Sequence, residues 1–123
     1  MEKIKTKRNE RRLSKSLIEE GLKLVADRAE RENVSKATAT RHAAAIRGVT
    51  PALGGVKSRV TNPGAWVALY ARSDATSTVI SNMKFAAVIF GWAGEQDYEN
   101  AEFYSHIAKA IRTALAVRGD TTQ

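Results

Sequence analysis

Leu13, Leu17, Ile18, Leu22, Val25 and Ala29 recur at intervals of three and four, with Lys, Arg and Glu between them. That spacing predicts an amphipathic helix over 13–32, about five turns long. Asn33 and Val34 interrupt the pattern, and Ser35, whose hydroxyl suits an N-cap, opens a second helix over 36–47 that stops at Gly48. The apolar residues of this second helix are mostly alanines, so it offers little bulk to a neighbour. Residues 48–64 hold both prolines together with Gly54 and Gly55 and predict a long loop with one short turn at 51–53. A loop of that length in so short a chain is either mobile or functional.

Asn62 followed by Pro63 sets a cap and a first-turn proline before AWVALYAR, a third helix with Trp66, Leu69 and Tyr70 available to a core. Ser73 or Asp74 caps the next segment, over 75–94. There Thr76, Val79, Met83, Ala86, Ala87 and Phe90 share one helical face, while Ile80, Val88, Ile89 and Trp92 share the other. A helix apolar on two faces belongs at the centre of a bundle. The Val, Ile, Phe and Trp of 85–92 also suit a strand, and periodicity alone does not separate the two. Helix is the reading adopted. Asp97 or Asn100 caps a last helix in which Phe103, Tyr104, Ile107, Ala108, Ile111, Ala114 and Leu115 form one stripe that stops near Gly119. The expected fold is all-α, a small bundle of four to five helices forming one domain over 13–123. Trp66, Tyr70, Phe85, Phe90, Trp92, Phe103 and Tyr104 are assigned to its core, since they lie at helical spacing beside aliphatics.

Composition adds a charge asymmetry. The chain has 123 residues, 43% of them apolar, with 20 Lys and Arg against 13 Asp and Glu, net +7. Residues 1–59 carry 15 basic against 7 acidic side chains, net +8, whereas 60–123 carry 5 against 6, net −1. Lys3, Lys5, Lys7, Arg8, Arg11, Arg12 and Lys15 crowd the first 16 residues, where Ile4 and Leu13 are the large aliphatics. Such a segment has too little apolar surface to bury itself, and residues 1–12 are expected to be a basic, disordered arm. Each cation set against a phosphate releases condensed counterions, so the arm suits an anionic polymer.

Several classes fall away. The absence of cysteine excludes disulfides, thiolate metal sites and cysteine nucleophiles. The N-terminus has no apolar core of a secretory signal, and the apolar run over 85–93 is well short of the roughly 20 residues of a spanning helix. The expected location is therefore the cytoplasm or the inside of a virion. His42 and His106 stand in no metal-binding spacing. Glu95, Asp97, Glu99 and Glu102 lack the alternation of a calcium loop and read as a solvated turn. Gly54 and Gly55 are not followed by the Gly-Lys-Ser/Thr of a phosphate loop. No catalytic constellation emerges, so no enzymatic activity, metal or cofactor is expected.

Within residues 25–44, Val34-Ser35-Lys36-Ala37-Thr38-Ala39-Thr40-Arg41 resembles the turn and recognition helix of helix-turn-helix proteins of the lactose-repressor type, which read Val-Ser-x-x-Thr-Val-Ser-Arg. Ala29 stands where that family keeps a small residue, and Asn33 stands at a turn position usually held by glycine. The resemblance implies a helix presenting Lys36, Thr38, Thr40 and Arg41 to a groove of DNA. The chain departs from the family at Arg28, Ala39 and His42, where large apolar residues are usual, which thins the core between the two helices. Ser35-Lys36-Ala37-Thr38 and Ala75-Thr76-Ser77-Thr78, each opening a helix, also resemble the helical core-binding domain of tyrosine recombinases, here without a catalytic domain.

The function expected is non-enzymatic binding of nucleic acid, DNA or RNA. The contact residues are Lys3, Lys5, Lys7, Arg8, Arg11, Arg12, Lys15, Lys36, Thr38, Thr40, Arg41, Arg47, Lys57 and Arg59. The alternative is a structural subunit of a ribonucleoprotein or virion assembly. In either case the neutral half is expected to self-associate through 79–115, with Ile107 and Ile111 as interface or core positions.

Overall fold

A computed structural model of the chain describes the backbone of residues 2–49, 57–71 and 76–117 and the side chains of 17–49, 59–71 and 77–117. Its elements are α1 (Glu2–Arg31), α2 (Lys36–Val49), α3 (Lys57–Val60), α4 (Pro63–Ala71), α5 (Thr76–Gly94) and α6 (Ala101–Val117). No strand occurs among the described residues, so 85–92 is helical. α1 starts at Glu2, and the backbone of the basic N-terminal segment therefore enters the first helix without a break.

Local chemistry places the boundaries. α1 ends in a Schellman turn: the Val34 amide donates to the Ala29 carbonyl at 2.9 Å, across an Asn33 whose φ is 53°. Asparagine tolerates that left-handed conformation, which is why it serves where glycine is usual. The Ser35 hydroxyl then accepts the Thr38 amide at 3.2 Å and opens α2. Asn62 Oδ1 accepts the Gly64 amide at 2.8 Å ahead of α4.

Two expectations need correction. Gly48 does not end α2, which runs on to a buried Val49. A Cβ at Gly48 would meet Asn82 Nδ2 at 2.6 Å, so the glycine serves close packing on α5. The loop expected over 48–64 contains α3, which is fastened to α4 by the buried Trp66 indole donating to the Val60 carbonyl at 2.7 Å. The turn at 51–53 and the caps at Ser73 and Asp74 lie outside the described residues.

The bundle is built from two antiparallel hairpins. In the first, α2 folds back on α1 so closely that a Cβ at Gly21 would lie 2.7 Å from Ile46 Cγ2. In the second, α6 folds back on α5, with Gly94 against Ser105 and the Arg112 guanidinium donating to the Ala87 carbonyl at 3.4 Å. α2 lies antiparallel to α5, placing Gly48 against Asn82 and His42 against Phe85. α5 touches α1, α2, α4 and α6, the central position its two apolar faces predict. A strand there would have no partner edge, whereas a helix satisfies its own backbone and frees its sides for packing.

Met83, Ile89, Ile107 and Ile111 are fully buried, so the last two belong to the core and not to an interface. Burying each contributes about 1.5–3 kcal/mol. Trp66, Tyr70, Phe90 and Tyr104 join them, while Phe85, Trp92 and Phe103 are only half-buried and form the rim. Leu24, which the helical spacing did not single out, is buried beside Leu17 and Val25. Four polar contacts tie α1 and the residue after it to the end of α5, the start of α6 and the turn between them. Tyr104 donates to Glu20 at 2.7 Å, Asn100 to Glu20 at 3.2 Å, Tyr98 to Asp27 at 2.7 Å and the Trp92 indole to Glu32 at 3.2 Å.

Candidate nucleic-acid interface

Packing against α1 and α5 buries His42, Ala45, Ile46 and Val49 of α2. By helical geometry the opposite face is then Lys36, Ala37, Thr40, Ala44 and Arg47, with Arg41 at its edge toward α5, and all of these are exposed. Lys36 and Arg47 stand about 16 Å apart along the axis at 1.5 Å per residue. Lys36 and Arg47 therefore lie along one line of the helix and Arg41 on the edge of the same exposed face toward α5, with small side chains between them that leave the helix backbone open to close approach. Thr38 is exposed beside them, but its hydroxyl oxygen accepts from Ser35 at 2.9 Å, so it belongs partly to the cap.

The electrostatics of this face follow from a feature the reading by halves passed over. No Asp or Glu occurs between Glu32 and Asp74, so α2, α3 and α4 contain no carboxylate. Glu20 and Asp27 of α1, and Glu32 just after it, are engaged by donors from α5, α6 and the turn between them. A scan for acid-free stretches finds this signal, whereas a count over half the chain averages it away.

Two side chains of α2 have special surroundings. The guanidinium carbon of Arg41 lies 5.0 Å from the centre of the Phe85 ring, a cation–π contact across the α2–α5 junction. His42 sits on the inner side, 5.3 Å from the same ring, and is buried. Burial first, and the charge of Arg28 second, hold its pKa below the usual 6.5, so His42 is neutral at pH 7. His42 thus packs between α2 and α5 as an uncharged ring. Arg28 is half-buried, its Nε is buried without a hydrogen-bond partner, and its charge acts on His42 of α2.

Of the other residues singled out from sequence, Arg59 is exposed on α3. The side chains of Lys3, Lys5, Lys7, Arg8, Arg11, Arg12, Lys15 and Lys57 lie outside the described residues. The structure thus brings Lys36, Thr40, Arg41 and Arg47 onto one face. Glu95, Asp97, Glu99, Glu102 and His106 are all exposed, and among the described residues no group of three or more His, Asp or Glu could hold a metal ion. No described helix is long and apolar enough to cross a membrane.

No protein-family model, no curated protein and no solved structure matches the chain.

Proposed function

We propose that the protein binds nucleic acid without catalysing a reaction on it, through the outer face of α2 and the basic run that opens α1. The observation that carries this reading is the set of exposed cations Lys36, Arg41 and Arg47 on an acid-free helix whose other face is locked against α1 and α5. A helix held in this way presents its cations at fixed spacing, so little ordering is required when phosphates arrive. Ala37 and Ala44 allow the backbone to come close to a polyanion, and Arg28 near His42 adds to the positive field. The Asn33 turn and the Ser35 cap fix where α2 begins and so support a helix held at a set position for contact.

The test is the salt dependence of binding to DNA and RNA. The logarithm of affinity should fall against the logarithm of salt with a slope equivalent to about four to eight phosphates, and removal of residues 1–12 should flatten it. Lys36→Ala and Arg41→Ala should each lower affinity by about 1–3 kcal/mol for a preferred site if they touch bases. A uniform loss across sequences would instead assign them to phosphates. Absence of binding to either polymer at low salt would refute the proposal. The assembly reading has less to rest on, because Ile107 and Ile111 are buried and the large apolar side chains exposed among the described residues are Val88 and Val117.

A further inference from the structure

Outside the α2 face, the strongest unassigned feature is the outward strip of α5. Phe85, Val88 and Trp92 follow one another at intervals of three and four and so share one side of the helix, with Lys84 beside them. Val88 is 40% exposed, and Phe85 and Trp92 are half-buried. The strip is flanked by two cations from different helices. Arg41 of α2 covers the Phe85 ring on one side, and Arg112 of α6 reaches over from the other to the Ala87 carbonyl. Arg112 can lie there because residue 91 is glycine: a Cβ would meet its Nη2 at 2.6 Å. Between Val88, Trp92 and Arg112 the surface sinks into a groove of about 340 Å³. α5 carries no carboxylate over Thr76–Gly94, while Glu95 lines the groove and Glu32 accepts from the Trp92 indole at 3.2 Å.

The strip as a whole thus sets Phe85, Val88 and Trp92 among the cations Arg41, Lys84 and Arg112, beside a groove that Arg112, Ser105 and Glu95 line. Such a strip suits a partner that is anionic and also offers flat, poorly hydrated surfaces. A nucleic-acid strand has both, but a duplex hides its base faces in the stack and shows only edges. An unpaired strand shows the faces, and these stack on aromatic rings and on guanidinium planes. A volume of 340 Å³ is at the small end of ligand sites and takes a base, not a duplex.

We propose that the outward strip of α5, from the Arg41-covered Phe85 ring to the groove beside Trp92 and Arg112, is a binding site for unpaired nucleic acid, in which the Arg41–Phe85 shelf and Trp92 stack bases and Arg112 meets phosphate. This rests on the nucleic-acid reading above and adds a preference to it: the protein favours single strands, or the single-stranded parts of a structured target. The site joins Arg41, from the basic half of the chain, to Lys84 and Arg112, from the half whose net charge is slightly negative.

The test uses the full chain with fluorescently labelled oligodeoxythymidine, oligouridine and a DNA duplex of equal length, read by anisotropy at one fixed salt concentration. Arg41→Lys keeps the charge and removes the planar face, Phe85→Leu removes the ring, and Arg112→Gln removes the charge on α6. Each should weaken single-strand binding at least about five-fold, the low end of what one stacked base contributes. Phe85→Leu and Arg112→Gln should leave duplex affinity within about two-fold. Oligodeoxythymidine should also quench tryptophan emission of the parent protein, through Trp92. Circular dichroism and thermal melts check folding, and the exposed Arg41 and Arg112 keep the test decisive if Phe85→Leu is unstable. The proposal is overturned if Arg41→Lys and Arg112→Gln bind single strands as tightly as the parent. It is also overturned if oligoglutamate competes as well as oligodeoxythymidine, since the groove would then be reading charge alone. Duplex binding without single-strand binding defeats this inference and spares the general reading, whereas absence of any binding defeats both.

Discussion

Replacing Tyr104 by Phe isolates one bond that holds the two hairpins together. The ring is 5% exposed, packs 5.9 Å from Phe90 and 6.2 Å from Tyr98, and donates its hydroxyl to Glu20 at 2.7 Å. Phenylalanine keeps the packing, so the change reports the hydrogen bond alone. A bond to a charged acceptor contributes about 1.5–3 kcal/mol. Glu20 is partly solvated and retains Asn100 at 3.2 Å, which places the expected loss at the low end, about 1.5 kcal/mol. In a chain of 123 residues that corresponds to a melting temperature lower by about 5 °C. Urea denaturation of the parent, Tyr104→Phe, Glu20→Ala and the double variant closes a cycle whose coupling should be about 1 kcal/mol. If Tyr104→Phe melts with the parent, or the two changes add, the bond does not hold α1 to α6 and the account of how the hairpins are joined is wrong.

Other consequences are as direct. Because the folded-state pKa of His42 lies below 6.5, the unfolded chain takes up a proton first as the pH falls; stability is therefore full above about 6.5 and declines below it. The drop in urea midpoint between pH 7.5 and pH 5 should shrink in His42→Leu. On the alkaline side, burial and the bond to Asp27 push the Tyr98 hydroxyl up to about 12. Its stabilising contribution is whole below pH 10 and disappears as the pH rises through 12, a window that Tyr98→Phe should narrow in melts followed by circular dichroism. Gly94→Ala should cost about 1–3 kcal/mol, because the new methyl meets Ser105 backbone atoms at 3.0 and 3.1 Å. Gly91→Ala meets only the end of the flexible Arg112 and should be near neutral in the same urea titration. Ile111→Asp sets an unpaired charge in a fully buried position and should abolish the helical signal, while charge changes in residues 1–12 should not.

The features that the sequence determined by itself are those whose cause lies within a few residues. Asn33 sets the turn because its own backbone tolerates positive φ, Ser35 and Asn62 cap because their oxygens reach amides two or three residues on, and the α6 stripe exists because one face repeats at helical spacing. The acid-free stretch behind the α2 face was legible too, though not to a count over halves. What the tertiary structure alone decided are the pairings across the chain. Gly48 looks like a helix stop and is instead a contact for Asn82, 34 positions away. Ile107 and Ile111 could have faced a partner, and only the packing of α4 and α5 against α6 makes them core. Residues 85–92 carry side chains suited to either helix or strand, and the helix prevails where neighbouring helices surround it on several sides. Arg41 and Arg112 are 71 residues apart and meet on the two flanks of α5 because α2 and α6 both pack beside it. Local propensity acts through the backbone over one turn, whereas which distant side chains become neighbours is settled by how bulky and small residues fit between whole helices.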